Sequence, residues 1–77
     1  MNVQLADVMV HIDQNLSPEQ RSLIEMTLRA MDGVVSVRNP DDRPHLSVIE
    51  YVPEKTSSQA ILSAVTGRGV HAELIGL

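Results

Sequence analysis

The 77-residue chain contains no cysteine, no tryptophan and no phenylalanine, and its single aromatic side chain is Tyr51. Without cysteine there is no disulfide, no thiolate metal site and no iron–sulfur cluster to staple a small fold. Folding must rest on aliphatic packing, or on packing shared with another chain. Without stacking aromatics, and with only 6 Lys and Arg against 10 Asp and Glu (6 − 10 = −4), the chain has neither the basic stripe nor the base platforms of a nucleic-acid binder. No apolar stretch approaches the roughly 20 residues that span a bilayer. Met1–Ala6 lacks a basic segment, and Asp7 interrupts the apolar run that follows, so no signal peptide is expected. The reading is a cytoplasmic protein with no membrane insertion.

What is present is a hydrophobic fraction of 43%, enough to exclude disorder. The length allows one domain, over residues 1–77. Ala6, Val8, Val10 and Ile12 alternate with Asp7, Met9 and His11, the period-two pattern of a strand with one buried face. Ser17-Pro18-Glu19-Gln20 has the form of a capping box with proline at the first helical position, and Leu23, Ile24, Leu28 and Met31 follow at helical spacing. Gly33 supplies a left-handed stop. Val34–Arg38 and His45–Val52 read as a hairpin around the six-residue turn Asn39–Pro44. Thr56-Ser57-Ser58-Gln59 repeats the capping pattern, Ile61, Leu62 and Val65 form the next helical face, and Gly67 and Gly69 end it. Val70–Leu74 alternates again.

Strand, helix, strand, strand, helix, strand is the ferredoxin-like βαββαβ order, an α+β fold with two helices on one face of a four-stranded antiparallel sheet. The expected arrangement sets the first and third strands at the centre, parallel to each other, with the fourth beside the first and the second beside the third.

Three stretches then resemble the heavy-metal-associated domain. Met31-Asp32-Gly33-Val34-Val35-Ser36-Val37 is similar to its "pGVxsV" turn, Tyr51 to Ile61 to its "YDPxxTsxxxI" stretch, and Gly69 to Leu74 to its closing "GYxaxv". The resemblance implies a soft-metal carrier that holds Cu(I) or a similar ion through a Cys-x-x-Cys between the first strand and first helix, since soft ions prefer sulfur. Here that loop is Asp13–Gln20; Ser17 and Gln20 stand nearest the two thiolate positions, and Asn15 is a further position of the same degenerate loop. Thiolate chemistry is therefore absent, and the fold alone does not restore it. The loop also holds no arginine, so the phosphate cradle of small phosphatases with this arrangement is missing.

Other chemistry has a thin basis. Ser17 lacks a histidine–carboxylate partner pattern, Gly67-Arg68-Gly69 follows a helix instead of opening one, and the carboxylates form no assignable acid–base pair, so no enzyme is expected. His11 ends the first strand and His71 begins the fourth; as antiparallel neighbours they fall together on the open face, where two imidazoles suit a divalent transition metal of borderline softness. Against this stand the adjacent helix N-terminus, which disfavours a cation, and the plain alternative of two solvated histidines. His45 and the charged turn Asp41-Asp42-Arg43 are expected at the opposite end of the sheet. If Ser47, Ile49 and Tyr51 face the core, then Leu46 and Val48 join Met9 and Ile75 in an apolar patch on the open face, rimmed by His11, His71 and Glu73, and Asp7 and Glu50 share that face. Such a patch suits a homodimer or a protein partner. Two readings stay open: an interaction module, and a metal-binding protein using His11 and His71.

Overall fold

Alternation in the sequence becomes burial in the fold. The computed structural model describes residues 4–75. Strand β1 (Ala6–Ile12) buries Val8, Val10 and Ile12 and turns Asp7, Met9 and His11 the other way. Helix α1 (Pro18–Arg29) starts at Ser17, whose hydroxyl accepts from the Gln20 amide at 3.2 Å while Gln20 Oε1 accepts from the Ser17 amide at 2.9 Å. Two otherwise orphaned donors are satisfied there. The helix buries Ile24 and Leu28; Leu23, placed on the core face by its spacing, is 49% exposed.

Strands β2 (Val34–Arg38) and β3 (Leu46–Tyr51) form the hairpin, with a bulge between Val34 and Ser36 that leaves Val35 exposed. Helix α2 (Ser58–Thr66) is capped by Ser57, whose hydroxyl accepts from the Ala60 amide at 3.1 Å. The cap is thus one residue later than a box from Thr56 to Gln59 requires. Strand β4 (Ala72–Ile75) begins two residues after the expected start and extends one further.

The sheet order is β2-β3-β1-β4, every neighbouring pair antiparallel. One expectation is corrected here: β1 and β3 are central but antiparallel. The reason is chain direction. The crossover through α1 returns β2 parallel to β1, and the hairpin then reverses β3. Ile24, Leu28, Ile61 and Val65 from the helices pack with Val8, Val10, Ile12, Val37, Ile49 and Tyr51 from one sheet face, which is the core. Leu28, Ile49 and Ile61 are fully buried, each worth about 1.5–3 kcal/mol of apolar transfer. Among the described residues no helix lies on the opposite sheet face.

Gly33 stands at φ +98°, and its carbonyl accepts from the Val52 amide at 2.7 Å, tying the start of β2 to the chain leaving β3. No helix of the described residues is long and apolar enough to cross a membrane.

Candidate functional site

The antiparallel β1–β3 pairing gathers the chemistry at one end of the sheet. The end of β1, the start of β3 and the start of β4 meet there, joined by the Ile12 amide donating to the His45 carbonyl at 2.8 Å and the Asp13 amide to the His71 carbonyl at 3.0 Å. His45 and the Asp41-Asp42-Arg43 turn therefore lie at the same end as His11, correcting the opposite placement. Asn39 fixes that turn: its Nδ2 donates to the carbonyls of Pro44 at 3.1 Å and Leu46 at 2.7 Å, and its Oδ1 accepts from Arg21 Nη1 at 3.2 Å. Arg21, Asn39 and the buried Ser47 line a cavity of about 10 Å³ behind it.

His11 sits on the open face between Leu46 on β3 and Glu73 on β4. Its Nδ1–H donates to Asp13 Oδ1 at 3.1 Å, and Glu73 Oε1 stands 3.9 Å from the same nitrogen. One ligand atom from each of His11, Asp13 and Glu73 lies within 4.8 Å of the others. With metal–ligand bonds of about 2.1 Å, tetrahedral ligands stand about 3.4 Å apart, so the two distances to His11 bracket that of a shared ion. All three side chains are accessible, at 39%, 56% and 69% exposure. The His45 ring stacks beside His11 with centroids 5.9 Å apart, and its Nδ1–H donates to the Ile12 carbonyl at 2.7 Å.

The structure brings His11 together with two carboxylates and a neighbouring imidazole; His71 is outside the three-ligand group. Its backbone is engaged instead, the amide donating to Gln14 Oε1 at 2.9 Å. Asp13 and Glu73 carried signals in the sequence. Asp13 is two residues past His11, and Glu73 alternates to the face that His11 occupies. Of the loop positions matching the cysteine pair, Ser17 and Gln20 are consumed by the helix cap and Asn15 is exposed. The donor set is one nitrogen and two oxygens. It does not fit a soft ion such as Cu(I) and fits a divalent ion of borderline softness.

Beyond this corner, pairing register lays out the open face in rows. Arg38, Val48, Met9 and Ile75 lie side by side across the four strands, Glu50 and Asp7 face each other in the row on one side, and Leu46, His11 and Glu73 fill the row on the other.

No family model matches the sequence, and no curated protein does. Solved structures do match. The oxidized MerP of Ralstonia metallidurans superposes with a TM-score of 0.81 at 15% identity, over 92% of this chain and 97% of that one. The N-terminal domain of a potential copper-translocating P-type ATPase from Bacillus subtilis, solved in its Cu(I)-loaded state, gives 0.82 at 20% identity over 92% and 88%. The CopZ metallochaperone gives 0.76 at 16% identity over 91% and 100%. The chain thus has the fold of the heavy-metal-associated domains, contains no cysteine, and carries a histidine–carboxylate cluster where β1 ends and β4 begins.

Proposed function

We propose that this domain binds a divalent transition-metal ion of borderline softness, such as Zn²⁺ or Ni²⁺, through His11, Asp13 and Glu73. The convergence of three ligand atoms within 4.8 Å carries the reading. The proton that His11 Nδ1 shares with Asp13 is the one an ion displaces, because metal ligation needs the unprotonated nitrogen. Three accessible ligands with open positions suit exchange of the ion more than permanent burial, and a carrier role agrees with the Cu(I)-loaded ATPase domain and the CopZ metallochaperone that share the fold.

Calorimetric titration tests this. Zn²⁺ or Ni²⁺ binds with a stoichiometry near one, Cu(I) offered from a thiol competitor is not taken up, and His11→Gln abolishes the Zn²⁺ heat while leaving the unfolding midpoint unchanged. Undiminished binding by His11→Gln contradicts the assignment.

A second reading concerns the same sheet face. Val48, Met9 and Ile75 form a continuous apolar row, with Leu46 beside it, on the face that no helix of the described residues covers. The row supports a role as a protein-docking module, in which a partner or a second copy covers the strip.

A further inference from the structure

We infer that the open sheet face docks a basic amphipathic helix, laid across the strands along the row Val48–Met9–Ile75; the inference rests on the docking reading of that face. The order of the rows on the face points to such a partner. Asp7 and Glu50 are direct cross-strand partners, two carboxylates facing each other. Like charges in that relation oppose sheet pairing, and among the described residues no ion pair engages either one. On the other side of the apolar row stands Glu73, with Asp13 beyond it. Along the strand direction the face therefore runs from the paired carboxylates Asp7 and Glu50, through the apolar row, to a mixed row in which Glu73 is the one carboxylate beside Leu46 and His11.

The dimensions select the partner. Each row lies two residues from the next, so the Asp7–Glu50 row and the row that holds Glu73 are about 14 Å apart at about 3.4 Å per residue. An α-helix with side chains is about 10–12 Å across. Its apolar stripe would rest on Val48, Met9 and Ile75, and Lys or Arg on its flanks would reach Asp7 and Glu50 on one side and Glu73 on the other. Helices recognised by apolar anchors with flanking charges are a recurring mode. Charge disfavours a second copy as the occupant. Within the three rows, three carboxylates (Asp7, Glu50, Glu73) against Arg38 give 1 − 3 = −2, and self-docking sets −2 against −2.

The test is an amide-shift titration of the full chain in chelator, so that no metal contributes. Three helical peptides serve as probes: one with Lys and Leu at amphipathic spacing, one with Ser in place of Leu at the same charge, and one with Glu in place of Lys. Saturable shifts at Asp7, Met9, Val48, Glu50 and Ile75 with the Lys/Leu peptide alone are expected. The double variant Asp7→Asn with Glu50→Gln, checked for an unchanged fold by its core amides, should bind that peptide about fivefold more weakly. Equal shifts with the Lys/Ser peptide would reduce the effect to net charge and overturn the inference. So would shifts confined to the helical side. Binding of the Glu/Leu peptide, or concentration-dependent shifts at the same residues without any peptide, would keep the docking reading and reject the basic partner. No response in any arm would remove both.

Discussion

Gly33→Ala separates backbone strain from crowding when set beside Gly69→Ala. Both glycines have positive φ, +98° and +86°. An L side chain in that region costs about 1–2 kcal/mol, and this cost is common to the two variants. Their surroundings differ. A Cβ on Gly33 meets Lys55 Cβ at 2.8 Å and Thr56 Cγ2 at 3.1 Å, whereas one on Gly69 meets nothing within 4 Å. The Gly33 contact is with the rigid end of a side chain, so backbone must shift, and the Val52 amide held at 2.7 Å by the Gly33 carbonyl shifts with it. Crowding of this kind adds about 1–3 kcal/mol. Gly33→Ala should therefore cost about 2–5 kcal/mol, and Gly69→Ala about 1–2 kcal/mol. Urea unfolding of the two variants and the parent, read at equal slopes, measures the difference. For a domain of this size, each kcal/mol also moves the thermal midpoint by about 4–8 °C. A Gly33→Ala cost no larger than that of Gly69→Ala refutes the reasoning.

Removing the capping hydroxyl by Ser17→Ala should cost about 1 kcal/mol in urea unfolding and leave Zn²⁺ binding intact, since Ser17 serves the helix cap and no ligand role. Leu28→Ala, at a fully buried position, should cost about 2–5 kcal/mol by the same assay; a loss below 1 kcal/mol would place Leu28 outside the core. Among the candidate ligands, Glu73→Gln should weaken Zn²⁺ binding about tenfold, equivalent to about 1.4 kcal/mol. His71→Gln should leave it unchanged in the same calorimetric series, and the reverse order would restore the pairing of His11 with His71.

The elements were legible because their signals are local and strong. Alternation over Ala6–Ile12 and the box from Ser17 to Gln20 each describe a few consecutive residues, and the structure keeps both; Gly33 has the expected positive φ but does not end α1, which already closes at Ala30 in a right-handed conformation. The second cap moved by one residue because Thr56, Ser57 and Ser58 all bear a hydroxyl, so short-range chemistry cannot choose among them. Leu23 misled for a related reason: it is adjacent to Ile24, both fit a helical period, and only the position of α2 and the sheet decides which one turns inward. The candidate site was harder, because it depends on strand direction. Taking β1 and β3 as parallel sent His45 and the Asp41–Arg43 turn to the wrong end of the sheet, whereas the antiparallel relation used for His71 was correct for β4. The faces were unaffected, since inward and outward alternation does not depend on which way a strand runs. Leu46, Val48, Met9 and Ile75 accordingly share the open face as expected. Asp13 and Glu73 went unpaired with His11 because their convergence is a matter of cross-strand register and of the turn just past β1, neither of which sequence spacing specifies.

The most direct test of the central claim is an NMR titration of the labelled chain with Zn²⁺, following the side-chain nitrogens of His11, His45 and His71 together with the carboxylates of Asp13 and Glu73. His11 Nδ1 and both carboxylates should shift in a saturable response near one equivalent, and His71 should not. Saturation at His71 with no change at Asp13 or Glu73, or no response of His11 at stoichiometric metal, would contradict it.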